Sequence, residues 1–382
     1  MKQILLFLFF SISIFSQKTT QPFESKKLRE NREITIGLPA SYDKNPNKKY
    51  PILILLDGDY LFDPFYGALN YGAYWDDLPE TIIVGINQNK NNERTADSNY
   101  DEIEGIPSGT GAQFFEFIGS ELLPYLEKKY RVAPFRIIAG HDTTAGYLNF
   151  FLYKDAPLFN AYISLSPELA PEMENRIPEK LTNLKQPIFY YQSTADGDVK
   201  KLQETTKKLD ANIKLVTNPL LNYKFEYLKG ASHYSLVLYA IPNALYQIFE
   251  SYKPISSAEY TDKIAILTSG YVDYLTNKYD LLSKKLGLNI PVRVNDLKAI
   301  EAAILKNKAY AEFEKLAVIA RKNYPKSMLS DYELGLMFEK TGDSKKAAKQ
   351  YQKASQLDEI GELTKDMMFQ KFDDMQSLTL KK

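Results

Sequence analysis

Between Pro22 and Tyr252 seven short apolar runs recur: "EITIGL", "YPILILL", "TIIVGI", "FRIIA", "AYISLS", "PIFYY" and "KFEYL". Several carry no polar alternation, which is the pattern of strands covered on both faces. Helical stretches such as "AQFFEFIGSELLPYLEKKY" lie between them. Alternation of strand and helix constrains this part of the chain to the α/β class, a mostly parallel sheet with helices on both faces. Ligands of such sheets sit beyond the carboxyl ends of the strands, so chemistry is sought just after each run.

After Tyr252 the strand signals stop, and Ser256 to Lys382 reads as helical, charged and rich in Ala, Leu and Lys. Leu334, Gly335, Phe338, Ala347, Tyr351 and Ala354 fall on the tetratricopeptide spacing, and Pro325 closes a weaker unit before them. Two units are fewer than the roughly three an independent solenoid needs. The region therefore reads as a TPR-like helical annex to the first domain, with a partner-docking surface as the alternative.

The N-terminus, "MKQILLFLFFSISIFSQ", has Lys2, an apolar run from Ile4 to Phe15, and Ser16 at a cleavable position. That is a secretory signal peptide, with a run too short for a membrane span. The expected division is 1–16 signal peptide, 17–254 α/β domain and 255–382 helical region. The mature protein is expected in the periplasm or secreted, without a transmembrane span. The chain has no cysteine, which excludes disulfides, thiol catalysis and thiol-ligated zinc. With 48 basic and 48 acidic residues there is no net field for nucleic acid. No phosphate loop, dinucleotide fingerprint, zinc-protease motif or complete calcium loop occurs, so neither cofactor nor metal is expected.

The run "FRIIA" leads into "GHDTTAG", Gly140 to Gly146, and then into the helical "YLNFFLY". An α/β-hydrolase keeps its nucleophilic serine at this point, in the pattern G-x-S-x-G. Here Asp142 holds the central position, and Thr144 stands where the second glycine belongs. Both histidines of the chain are well placed: His141 in the turn itself, and His233 in "GASHYSL" after the last strand run. A histidine after a late strand is the expected base of a triad. The acid should fall between them, and "TADGDVKK" after "PIFYYQS" offers Asp196 and Asp198. The residues alone leave that pair open.

Several stretches carry a resemblance. "SKKLRENREITIGLPASYD", "KYPILILLDGD", "ERTADSNYDE", "FFEFIGSELLPYLEKKYRVAPFRIIAGH", "LFNAYISLSPEL" and "GASHYSL" follow in order the features of the Putative esterase family. That family includes esterase D-like hydrolases and siderophore (enterochelin) esterases. The resemblance covers about Glu24 to Tyr252 and implies an α/β-hydrolase fold, often with a tetratricopeptide-like tail. It implies His233 as base, favours Asp196 as acid, and puts an oxyanion hole at the backbone amides of Thr143 and Gly58. At the nucleophile, Asp142, the sequence departs from the family.

Aspartate has no hydroxyl proton for a histidine to take, and its attack on an ester carbonyl would give an anhydride. A carboxylate beside His233 also favours the imidazolium over the free base. The leading expectation is thus a pseudoenzyme that binds a small ester-like ligand or a protein partner. An active hydrolase is the alternative. "GHD" resembles the start of the G-H-D-W-G motif of haloalkane dehalogenases and epoxide hydrolases, where aspartate attacks saturated carbon. Those enzymes need cap-domain tryptophans or tyrosines, and the chain has one tryptophan, Trp75. Thr144 as nucleophile in a slipped register, or water activated by His233 beside Asp142, completes the alternatives.

Overall fold

The computed structural model describes residues 18–380, so the signal-peptide expectation lies outside the described residues. The chain forms two compact units that divide between Ile248 and Phe249.

The strands of the first unit are β1 (Lys18–Ser25), β2 (Glu30–Gly37), β3 (Tyr50–Leu55), β4 (Ile82–Ile86), β5 (Val132–His141), β6 (Ala161–Leu165), β7 (Ile188–Gly197) and β8 (Leu221–Ser232). They form one sheet in the order β1-β2-β4-β3-β5-β6-β7-β8. The first two pairings, β1 with β2 and β2 with β4, are antiparallel, and all others are parallel. Each of the seven apolar runs falls on a strand. The eighth, β1, is an edge strand with polar, largely exposed residues, and so gives no apolar signal.

The α-helices of this unit are α1 (Gly58–Tyr74), α2 (Glu93–Asp97), α3 (Gly109–Glu116), α4 (Leu123–Lys129), α5 (Thr143–Tyr147), α6 (Met173–Thr182), α7 (Lys200–Ile213) and α8 (Leu236–Ile248). Between α3 and α4 one π turn, Phe117–Leu122, precedes Pro124, which has no N–H to continue the α-helical ladder. Strands β3, β4 and β6 are buried along their whole length. On one face Ile52, Ile54, Ile138, Tyr162 and Tyr190 join Phe114, Leu126, Ile177 and Leu209 in a single core. Helices α1 and α8 pack on each other and on the strands outside that core. Each fully buried Leu, Ile or Phe contributes about 1.5–3 kcal/mol, so this double cover is what fixes the sheet.

The second unit contains a single-turn helix α9 (Ser257–Glu259), then α10 (Tyr271–Leu286), α11 (Val294–Asn307), α12 (Glu312–Asn323), α13 (Leu329–Lys340), α14 (Ser344–Ala354) and α15 (Lys365–Leu380). From α11 onward each helix packs on the next in sequence. Gly335 lies under the Tyr351 ring, where an added Cβ would stand 2.4 Å from a ring carbon. Ala347, Tyr351 and Ala354 are fully buried in this unit's core. No helix among the described residues is long and apolar enough to cross a membrane.

Candidate active site

Strand β5 ends at His141, and α5 begins at Thr143. Asp142 between them has φ 62° and ψ −122°, a conformation that non-glycine residues rarely adopt. Such a position costs on the order of 1–3 kcal/mol and survives only where its surroundings hold it. Here the Asp142 N–H donates to the Leu165 carbonyl at 2.9 Å, and its own carbonyl accepts from Glu168 at 3.0 Å and Gly146 at 3.1 Å. Gly146 is required by close approach: a Cβ there would lie 1.7 Å from the Glu168 carbonyl oxygen. The turn therefore has the strand–strained residue–helix geometry of a nucleophile elbow.

Thr144, in place of the second elbow glycine, is fully buried. Its hydroxyl accepts from the His141 amide at 3.0 Å and meets the Asp57 carboxylate at 2.5 Å. It is thus turned into the protein as a tie between two turns. That overturns the slipped-register reading, since this oxygen is buried and already bonded.

His233 follows β8 and is half-buried. Its Nδ1 lies 2.7 Å from Asp198 Oδ1 and 3.1 Å from Ser166 Oγ. Asp198 is the acid that meets His233, and the expectation of Asp196 is corrected. Asp196 is exposed, and its carboxylate accepts instead from the amides of Gly230 at 2.8 Å and Gly197 at 3.1 Å. The β7–β8 pairing shifts register between Ala195 and Gly197, and the chain beyond that irregularity carries Asp198 inward. Burial pushes the Asp198 carboxyl up, but hydrogen bonds from His233, Thr194, Ser166 and the Val199 amide outweigh it and bring its pKa down to about 2. The bond to Asp198 raises the His233 pKa despite burial; the charges of Asp198 and Asp142 raise it further and Arg94 lowers it.

His141 lies against His233, with ring centroids 4.6 Å apart. Its Nε2 meets the His233 carbonyl at 3.1 Å, so that nitrogen carries the proton, and its Nδ1 meets the Tyr60 hydroxyl at 3.1 Å. Burial, then the neighbouring His233, lowers the His141 pKa. His141 is therefore a neutral spacer behind the elbow.

Thr143 and Gly58 are the first residues of α5 and α1, where backbone N–H groups have no partner within the helix. Both expected oxyanion amides thus sit at helix starts. The Asp57 amide is not available, because it donates to Gln88 Oε1 at 2.9 Å.

Four side chains that sequence reasoning did not single out complete the arrangement. Arg94 on α2 reaches Asp57, the His141 carbonyl and Asp142. Ser166 bridges Asp198 and His233. Glu168 accepts from the Thr143 hydroxyl at 3.0 Å, and the Tyr60 hydroxyl lies between His141 Nδ1 and the Asp57 carboxylate, 2.9 Å from the latter. Arg94 and Ser166 lie within the stretches "ERTADSNYDE" and "LFNAYISLSPEL", whose family resemblance is the only sequence signal that points to them. Among the described residues no group of three or more acidic or histidine side chains is placed to hold a metal ion.

Sheet order, elbow and post-strand histidine together define an α/β-hydrolase framework. The family model described as Putative esterase matches residues 25–215, half of the chain. The chain belongs to that family. The matched segment includes Asp142 and Asp198 and ends before His233. An uncharacterised protein from Capnocytophaga ochracea DSM 7271 is 29% identical, with a TM-score of 0.86 over 94% of this chain and 100% of its own. An IroE-like serine hydrolase from Shewanella oneidensis shares the fold at 20% identity and a TM-score of 0.62, over 80% of this chain and 99% of its own. The BES protein from Bacillus cereus does so at 21% and 0.52, over 64% and 97%. No curated protein matches the chain.

Proposed function

We propose that this protein binds an ester-like small molecule in the crevice around Asp142 and His233 and does not hydrolyse esters by serine-type acyl transfer. The observation that carries the reading is the carboxylate on the strained elbow position, within the field of the His233–Asp198 pair. Acyl transfer requires a hydroxyl whose proton the histidine accepts while amides hold the oxyanion. Asp142 supplies no hydroxyl, and its charge adds to that of Asp198 in favouring a protonated His233. Its negative charge also lies beside the helix-start amides that an oxyanion would need.

The helical unit, read as TPR-like from the Gly335–Tyr351 packing, is the second place where a protein partner would dock. The apolar leader supports export, with the mature chain acting in the periplasm or outside the cell.

One observation favours an active hydrolase as the second reading. Asp198 still holds His233 Nδ1 at 2.7 Å, as a working base requires. In that case Asp142 attacks a saturated carbon as its leaving group departs with the bonding pair, and water activated by His233 hydrolyses the resulting ester, or His233 activates a water directly on the substrate.

The deciding assay is hydrolysis of short-chain aryl esters by wild type, Asp142→Ser and His233→Ala. Silence in wild type with gained turnover in Asp142→Ser supports the binding reading. Turnover in wild type that collapses in His233→Ala replaces it with the hydrolase.

A further inference from the structure

Helix α2 is only one turn and a half of chain, yet two of its charged side chains, Arg94 and Asp97, are directed to different partners. Asp97 is fully buried and bonds the buried guanidinium of Arg32 on β2, with Arg32 Nη2 at 3.1 Å from Oδ1. It also accepts from Gln88 Nε2 at 2.8 Å, and the same Gln88 side chain accepts the Asp57 N–H. Through Asp97 and Gln88 the helix is fixed to β2 and to the turn between β3 and α1.

Arg94 extends from this anchored base to the elbow. Its Nε donates to Asp57 Oδ1 at 2.6 Å, and its Nη2 donates to the His141 carbonyl at 2.8 Å and to Asp57 Oδ2 at 3.3 Å. Its Nη1 donates to Asp142 Oδ2 at 3.4 Å. Burial works against this charge, and the Asp57 carboxylate more than restores it, so the guanidinium stays charged. A planar fork carries its N–H groups on three separate nitrogens and so spans acceptors on two turns, whereas an ammonium projects all of its N–H groups from one atom.

We infer that Arg94 is a positioning residue that clamps the Asp142 carboxylate to the β3–α1 turn and thereby sets the charge state of His233. The groups facing His233 are Asp198 and Ser166 at Nδ1, His141 and Tyr234 against its ring, and the charges of Asp142 and Arg94. Arg94 is the cation with which Asp142 is paired. Without the clamp, Asp142 is left to the imidazolium. The inference rests on the crevice reading only in that Asp142 and His233 share one crevice, and not on whether esters turn over.

Two histidines make the test direct: the protein labelled with ¹⁵N-histidine gives two imidazoles to titrate by NMR. In Arg94→Gln the His233 midpoint rises by about one pH unit, the size expected when an opposite charge within a few ångströms is released toward a titrating group. In Asp142→Asn it falls. In the double variant the effect of Arg94→Gln shrinks, because its route through Asp142 is gone. Arg94→Lys keeps the charge without the fork, and so shifts the midpoint upward as well.

Equal shifts from Arg94→Gln with and without Asp142, or a wild-type midpoint in Arg94→Lys, would overturn the clamp and leave Arg94 a background charge. Failure of both Arg94 variants to fold would overturn it too, by making Arg94 a scaffold residue. A silent esterase assay leaves the titration readable.

Discussion

Asp198 beside the crevice and Glu333 in the helical unit are both carboxyls with their side chains removed from water, and they end in opposite charge states. Asp198 receives Ser166, Thr194, the Val199 amide and His233, and its pKa falls to about 2. Glu333 on α13 has neither carboxyl oxygen met by a donor among the described residues. Burial raises its pKa well above the ordinary value, and the nearby Glu301 carboxyl adds to the rise. Both effects favour the neutral, protonated form of Glu333. Burial therefore does not decide charge; the number of donors aimed at the carboxylate does. Asp198, with its donors, is an anion next to a base, whereas Glu333, met by none, is favoured in its neutral form.

The comparison breaks first at Asp198. Asp198→Asn keeps the shape and removes the charge, which leaves the His233 imidazolium without its partner. A loss of about 3 kcal/mol is expected, as when one member of a buried pair is removed, measured by urea unfolding. The pH window sharpens the test. His233 has a raised pKa, so its contribution is present below about pH 6.5, its unfolded value, and is lost as pH rises through the folded one. Asp198 has a depressed pKa, so its contribution is present above about pH 4 and is lost as pH falls through about 2. The gap between wild type and Asp198→Asn is widest between these limits. A gap that does not vary with pH would mean that packing, not charge, holds the pair.

Glu333→Gln tests the other side. A carboxyl with a raised folded pKa contributes stability below its unfolded value and loses it as pH rises. At neutral pH the unfolded state ionises freely, so wild type carries a cost that the amide removes. Glu333→Gln should therefore stabilise the helical unit at pH 7, because the amide enters the core without taking up a proton. The gain should vanish near pH 4, roughly where a carboxyl in the unfolded chain takes up its proton. Thermal unfolding followed by circular dichroism reads both, and a variant less stable than wild type at pH 7 would show that Glu333 is ionised after all.

The sequence exposed the sheet because its central strands are short runs buried on both sides, as with "YPILILL" and "AYISLS". β1 stayed hidden because an edge strand exposes polar side chains. The elbow was legible at Gly140 to Gly146, and the histidine at 233, since both follow strands. What could not be read was which way a side chain points after an irregularity. Asp196 and Asp198 are two residues apart, so strand alternation puts both on one face, and the register shift at Ala195–Gly197 separates them. Arg94 and Ser166, within reach only through the family resemblance, were hidden for a different reason. Their partners lie across the sheet at Asp57, Asp142 and Asp198, and a single chain records no such pairing.

The smallest expected effect gives the sharpest check on that register. Asp196 and Asp198 differ in place, not in chemistry, so the same substitution at each isolates position. Asp196→Asn removes an exposed carboxylate that serves two amides, those of Gly197 on β7 and Gly230 on β8. Its amide oxygen can still accept from either N–H, and no charged partner is stranded. The His233 titration by NMR should be unchanged in Asp196→Asn, whereas Asp198→Asn lowers it because the hydrogen-bonded carboxylate that raises it is gone. If Asp196→Asn moved the midpoint as far as Asp198→Asn, the two carboxylates would be exchanging places on His233. The inward turn after Gly197 would then be one of two states of the β7 end rather than its fixed course.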